Sequence, residues 1–214
     1  MKYKAAIFDM DGVLADNHLY HLKAFEIFCQ KYGITLTEDY YNKHITGRTN
    51  EAIMRALFGN DITHERINLY AEEKEAIYRQ IYKGHVKHPA GLITFLNYLN
   101  KKNIPCAVGS NGPFVNIDFV LQELDIKKYF SVIVNATMVQ QGKPAPDVYI
   151  KAAELTRIPA NLCLVFEDSP TGIQAAVSAG MHVVGIITTH HEHELKPTLF
   201  NTPDFSDKRL YSLF

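Results

Sequence analysis

At 214 residues the chain can bury a sizeable core unaided, as one domain or as a domain with an insertion. Its 22 Lys and Arg nearly balance 23 Asp and Glu, for a net charge of -1, which excludes a global basic field for nucleic acid or an anionic membrane surface. No apolar run approaches the length of a membrane span, no signal peptide is visible, and Cys29, Cys106 and Cys163 lie far apart among apolar neighbours. The expectation is a cytoplasmic protein without a disulfide framework or membrane anchorage.

The first predicted strand, Ala5 to Phe8, is apolar without alternation, as in a parallel sheet covered on both faces. It runs straight into Asp9-Met10-Asp11-Gly12. The period then changes. Leu19, Leu22, Phe25 and Phe28 predict an amphipathic helix stopped at Gly33, and Thr37-Glu38-Asp39 opens a second helix. Gly47-Arg48-Thr49 is a break before a third helix, Asn50 to Phe58. A long polar helix runs from Thr63 to about Ile81, with Ile67, Tyr70, Ala71, Ile77 and Ile81 toward one side. This stretch without a strand signal reads as a helical unit over residues 16–84, inserted into a core made of 1–15 and 85–214.

From Ala90 helix and strand alternate. A helix through Leu92, Phe95, Leu96 and Leu99 precedes a strand from Ile104 to Val108 that ends in Gly109-Ser110-Asn111-Gly112. A helix to Leu124 leads to the strand Val132 to Val134, then to the loop Gly142-Lys143-Pro144-Ala145-Pro146-Asp147 and a helix to about Arg157. The strand Leu162 to Phe166 ends in Glu167-Asp168-Ser169-Pro170, followed by a helix from Thr171 to Ala179 and a last strand, His182 to Ile187. The tail from Asn201 carries no clear pattern. Such alternation predicts an α/β fold, a Rossmann-like doubly wound parallel sheet with a small helical insertion.

Open parallel sheets hold ligands outside the carboxyl ends of their strands. Asp9, Asp11, Ser110, Asn111, Lys143, Glu167 and Asp168 all fall there. Phosphoryl transfer needs a nucleophile, charge neutralisation by metal and lysine, donors for the phosphoryl oxygens, and a proton for the departing alkoxide. The inventory meets that list. Crowded carboxylates without His or Cys favour Mg²⁺ over zinc.

With these motifs in order, each at a predicted strand end, the sequence resembles the haloacid dehalogenase superfamily of aspartyl-phosphate enzymes. Within it, the resemblance is to the group with a helical cap after the first strand, which includes β-phosphoglucomutase and sugar-phosphate phosphatases. The resemblance implies a covalent phosphoaspartate on Asp9, and Asp11 as general acid and then base, with its carbonyl on the metal. It places Ser110 and Asn111 at the phosphoryl group and Lys143 between nucleophile and phosphoryl. Asp9, Asp11, Glu167 and Asp168 would hold Mg²⁺, Glu167 directly or through water. On the cap, His21 and Arg48 are candidate substrate contacts. A family arginine lies where this chain has Asn50, a departure from the mutase pattern.

The expected activity is a Mg²⁺-dependent phosphatase for a small phosphorylated metabolite, foremost a sugar phosphate, acting as a monomer without nucleic acid or membrane partners. A β-phosphoglucomutase-like mutase is the alternative, because Gly109-Ser110-Asn111-Gly112 resembles the phosphatases more than the mutase. A phosphorylated signalling module or a binding protein without turnover is a remoter one. Thr188-Thr189-His190-His191-Glu192-His193 looks like a metal cluster, but its spacing matches no helical zinc motif and it reads as loop structure.

Overall fold

The computed structural model describes residues 2–214. It divides into two compact units, one formed by the chain up to Asp16 together with Val86–Phe214, the other by Asn17–His85.

The larger unit holds the strands β1 (Ala5–Phe8), β2 (Cys106–Gly109), β3 (Phe130–Val134), β4 (Cys163–Glu167), β5 (His182–Ile186) and β6 (Asn201–Thr202). They form one sheet in the order β3-β2-β1-β4-β5-β6, and every neighbouring pair is parallel. Chain order thus reverses direction beside β1, the arrangement of a doubly wound α/β sheet. The strands β1, β2 and β4 are buried at every position, because both faces are covered and no side chain points to water. On one face Ala5, Ile7, Ala107, Val134 and Val165 share a core with Val148, Tyr149, Ala152, Ile173 and Ala176, which belong to the helices Asp147–Thr156 and Pro170–Ser178.

The opposite face is aromatic. Phe8 and Phe166 are register partners on β1 and β4 and stack with centroids 4.7 Å apart, and Phe95 and Phe205 pack against both. The tail, without pattern in the sequence, therefore has a structural task. It adds β6 to the sheet edge and buries Phe205 and Phe214. Its contribution is two paired residues and isolated aromatics, too few for any period to show.

In the smaller unit the helices are α1 (His18–Lys31), α2 (Glu38–His44), α3 (Asn50–Phe58) and α4 (His64–Tyr82). Thr37, Thr49 and Thr63 cap the last three, each hydroxyl accepting from the third backbone N–H beyond it. One sequence expectation is corrected here. Leu19 is exposed, unlike Phe25 and Phe28, because a spacing of three drifts around a helix that turns by about 100° per residue, and nine residues end roughly opposite. On α4, Ile67 and Ala71 are buried and Tyr70 and Ile77 pack against the same core, as the spacing predicts, and Lys74, Glu75, Tyr78 and Tyr82 are buried as well. Burial of these polar groups is offset internally. Lys74 Nζ lies 2.6 Å from Glu75 Oε1 and 4.4 Å from the centre of the Phe25 ring, and Asn50 Nδ2 donates to the same Glu75 oxygen at 3.0 Å.

The helices of the larger unit continue as α5 (Leu92–Lys101), α6 (Phe114–Glu123), α7 (Asp147–Thr156) and α8 (Pro170–Ser178). Since Phe8 joins four other rings with no solvent contact, Phe8→Ala should lower stability by about 3–5 kcal/mol, measured by urea denaturation.

Candidate active site

Asp9 follows β1 directly, and its backbone N–H extends the ladder to Phe166 O at 3.0 Å. Ser110 follows β2, bonded through its N–H to Val134 O on β3. Glu167 ends β4 and Asp168 comes next. Lys143 arrives on the long loop between β3 and α7, and Asn111 fixes it there. Lys143 N donates to Asn111 Oδ1 at 2.9 Å, and Asn111 Nδ2 donates back to Lys143 O at 3.3 Å. The Asn111 amide thus serves the lysine backbone. Ser110 Oγ accepts from Gly112 N at 3.0 Å, which holds the hydroxyl at the strand end.

These loops converge on one ammonium. Lys143 Nζ donates to Asp9 Oδ1 and to Glu167 Oε1, each at 2.6 Å. All three side chains are buried, as is Asp168. Asp11 is half-buried beside the Ser110–Gly112 turn; a Cβ on Gly112 would lie 3.8 Å from its Oδ2.

Glycines make this density possible. A Cβ at Gly12 would lie 2.0 Å from Asp168 Oδ2, and φ there is +77°, so position 12 admits no side chain. At Gly172, in the first turn of α8, a Cβ would sit 1.7 Å from Glu167 Oε1. The helix start approaches Glu167 closely while Ser169 caps it, its hydroxyl donating to Glu167 Oε2 and accepting from Gly172 N.

Burial drives the electrostatics. It pushes the Asp9 carboxyl up from 3.8 to about 7; the Lys143 charge opposes this, and the charges of Glu167 and Asp11 add to it. Asp168 is raised well above the carboxylate range by burial and by the charges of Glu167 and Asp9. Burial pulls the Lys143 ammonium down, but Asp9 and Glu167 more than reverse this and keep it protonated. One lysine does not neutralise these acids. Asp9, Glu167 and Asp168 each offer an oxygen within 4.8 Å of the others, and among the described residues they are the only such group of three or more potential ligands. Buried, crowded, all-oxygen donors short of positive charge fit a hard divalent cation.

The loop after β5 supports the site from behind. Thr188 Oγ1 donates to Gly12 O at 2.6 Å, Thr189 Oγ1 donates to the Asp168 carboxylate, and His190 Nδ1 lies 3.1 Å from Asp168 O. The rings of His191 and His193 stack on each other 5.7 Å apart. Tyr149, in the first turn of α7, is a site neighbour that sequence reasoning missed; its hydroxyl donates to Glu167 Oε1 at 2.7 Å. In the sequence it is one more apolar residue of a core helix. The only signal is that a buried phenol needs a partner for its hydroxyl.

His21 and Arg48 belong to the helical unit. The His21 ring stacks on Tyr78 with centroids 3.9 Å apart, the two planes nearly parallel. Arg48 is exposed in the turn between α2 and α3, its N–H bonded to Ile45 O.

The profile of the haloacid dehalogenase-like hydrolases matches residues 6–186, spanning every strand of this site. The chain belongs to that family. A phosphorylated carbohydrates phosphatase of Thermotoga maritima is 31% identical over 188 residues, 86% of this chain and 85% of that protein. The β-phosphoglucomutase of Bacillus subtilis is 30% identical over 193 residues, 86% and 83% of the two chains. The crystal structure of a HAD hydrolase of family IA, variant 3, from Entamoeba histolytica covers 100% of this chain and 99% of its own, with 29% identity and a TM-score of 0.87. As a haloacid dehalogenase-like hydrolase of phosphatase type, the chain falls in a family that generally uses a divalent metal. No helix among its described residues is long and apolar enough to cross a membrane.

The shifted Asp9 carboxyl carries a prediction for the metal-free hydrolase. With its value at about 7 in the fold and 3.8 ordinarily, the folded state keeps a proton that the unfolded chain releases, so stability falls as pH rises through that window. Asp9→Asn removes this dependence. Urea midpoints at about pH 5 and pH 8 should diverge for the native sequence by more than for the variant, with a differential on the order of a few kcal/mol.

Proposed function

We propose that the chain is a Mg²⁺-dependent phosphomonoesterase acting on a small phosphorylated carbohydrate through a phosphoaspartate on Asp9. The observation that carries this reading is the Lys143 ammonium held between Asp9 and Glu167, with Asp168 alongside. It gives a buried carboxylate part of the charge compensation that attack on a phosphate dianion requires, the rest falling to a cation.

In the first step an Asp9 carboxylate oxygen bonds to phosphorus and the ester P–O bond breaks. The departing alkoxide takes a proton from Asp11 and leaves as the alcohol. In the second step water attacks the same phosphorus, Asp11 takes back a proton, and the P–O bond to Asp9 breaks, releasing inorganic phosphate. Lys143 offsets charge on the nucleophile and on the phosphoryl oxygens, and the Ser110 hydroxyl with the neighbouring amides donates to those oxygens. Mg²⁺ would be held by Asp9, Asp168 and the Asp11 carbonyl, with Glu167 bound directly or through water, and it supplies the remaining charge neutralisation. On the resemblance to the family, His21 and Arg48 contact the sugar side of the substrate. The enzyme acts in the cytoplasm as a monomer, on the same reading.

Asp9→Asn keeps shape and removes the nucleophile. Turnover of p-nitrophenyl phosphate with Mg²⁺ should fall by at least about three orders of magnitude with an unchanged circular dichroism spectrum. Retention of most phosphate release would refute the phosphoaspartate.

A second reading, phosphosugar mutase, is favoured by the identity to the Bacillus subtilis β-phosphoglucomutase. Against it, Asn50 stands at the position of the mutase arginine and its amide is bonded to Glu75. Incubation with β-glucose 1-phosphate and a bisphosphate primer separates the two. Inorganic phosphate is the expected product, and glucose 6-phosphate would identify a mutase.

A further inference from the structure

Lys143 is the cation on which the proposed phosphoryl transfer depends, and an ammonium on four methylenes does not fix its own position. Its Nζ donates one N–H to Asp9 and one to Glu167, both at 2.6 Å, which leaves the third for a phosphoryl oxygen. Its place is therefore set by how firmly Glu167 is held. Glu167 Oε2 accepts from Asp168 N at 3.0 Å, Ser169 N at 3.2 Å and Ser169 Oγ at 3.0 Å. Oε1, the oxygen that faces the lysine, accepts from one further donor, the Tyr149 hydroxyl at 2.7 Å. The Tyr149 ring also lies beneath the ammonium, with Nζ 4.8 Å from its centre, within the range of a cation–π contact.

We propose that Tyr149 is a positioning residue of the reaction: through Glu167 and its own ring face it holds the Lys143 ammonium at Asp9. The inference rests on the phosphoaspartate reading and adds to it a side chain that touches neither substrate nor nucleophile. The phenol suits the task because an ordinary tyrosine hydroxyl keeps its proton at neutral pH and can donate it to a carboxylate. Without that hydroxyl, Oε1 has the lysine as its one remaining donor. The ammonium is then drawn toward Glu167 and away from Asp9, which weakens charge compensation at the transition state more than substrate binding.

The test is a double-mutant cycle of Tyr149→Phe and Glu167→Gln in the full chain, read on p-nitrophenyl phosphate at saturating Mg²⁺. Tyr149→Phe keeps the ring and its packing. It should lower kcat about ten-fold to a hundred-fold and leave KM and the calorimetric Kd for Mg²⁺ within about three-fold. In the Glu167→Gln background the same change should cost less than about two-fold, because the group it acts through is already altered. Tyr149→Leu, which also removes the ring face, should lose more than Tyr149→Phe. An unchanged kcat in Tyr149→Phe, or an undiminished loss on top of Glu167→Gln, would overturn the proposal. A fall in Tm with kcat intact would make Tyr149 a packing residue only. If the native sequence shows no Mg²⁺-dependent hydrolysis, the parent reading fails first, and the proposal falls with it.

Discussion

Buried negative charge is the constraint on which the rest of the structure depends. Asp9, Glu167 and Asp168 lie within ligand reach of one another, out of water, and a desolvated carboxylate without compensation is costly. Lys143 compensates part of this, and the shifts at Asp9 and Asp168 record what remains. An arrangement of this kind destabilises the fold and persists where it does chemistry. The unbalanced negative charge that makes the site costly also makes it receptive to a cation.

The sheet makes the gathering possible. Parallel strands all end at one edge, so residues far apart in the chain meet without any loop crossing the core. The strands β1 and β2 can be fully apolar because helices or aromatic side chains cover both faces, and the site's polar residues lie at or just past the strand ends. Phe8 and Asp9 show this division, one stacked in an aromatic cluster of the core and the next bonded to a buried ammonium.

Much of this was legible in the sequence. Unbroken apolar runs marked the strands, and the acids, serine and lysine after them marked the site, because strand ends are read from local pattern alone. Other features depended on the third dimension. Leu19 matched a helical face by spacing, yet accumulated rotation turns it away. Nothing in the sequence marked Lys74 and Glu75 of the polar helix for burial, yet they satisfy each other in a buried position. The tail gave no period but supplies Phe205 and Phe214 to the core. Tyr149 was hidden by its own apolar ring, since its hydroxyl contact with Glu167 spans two elements that no local window connects.

The contact between Thr188 and Gly12 spans 176 positions of the chain. The turn that bears Asp9 and Asp11 is thus secured from the loop after β5, two strands away in the sheet and later in the chain than every other strand-end loop of the site. During synthesis on the ribosome Asp9 and Asp11 therefore emerge long before Thr188, whereas Glu167 and Asp168 precede it closely. The hold on Gly12 is therefore complete only once β5 and its following loop have joined the sheet.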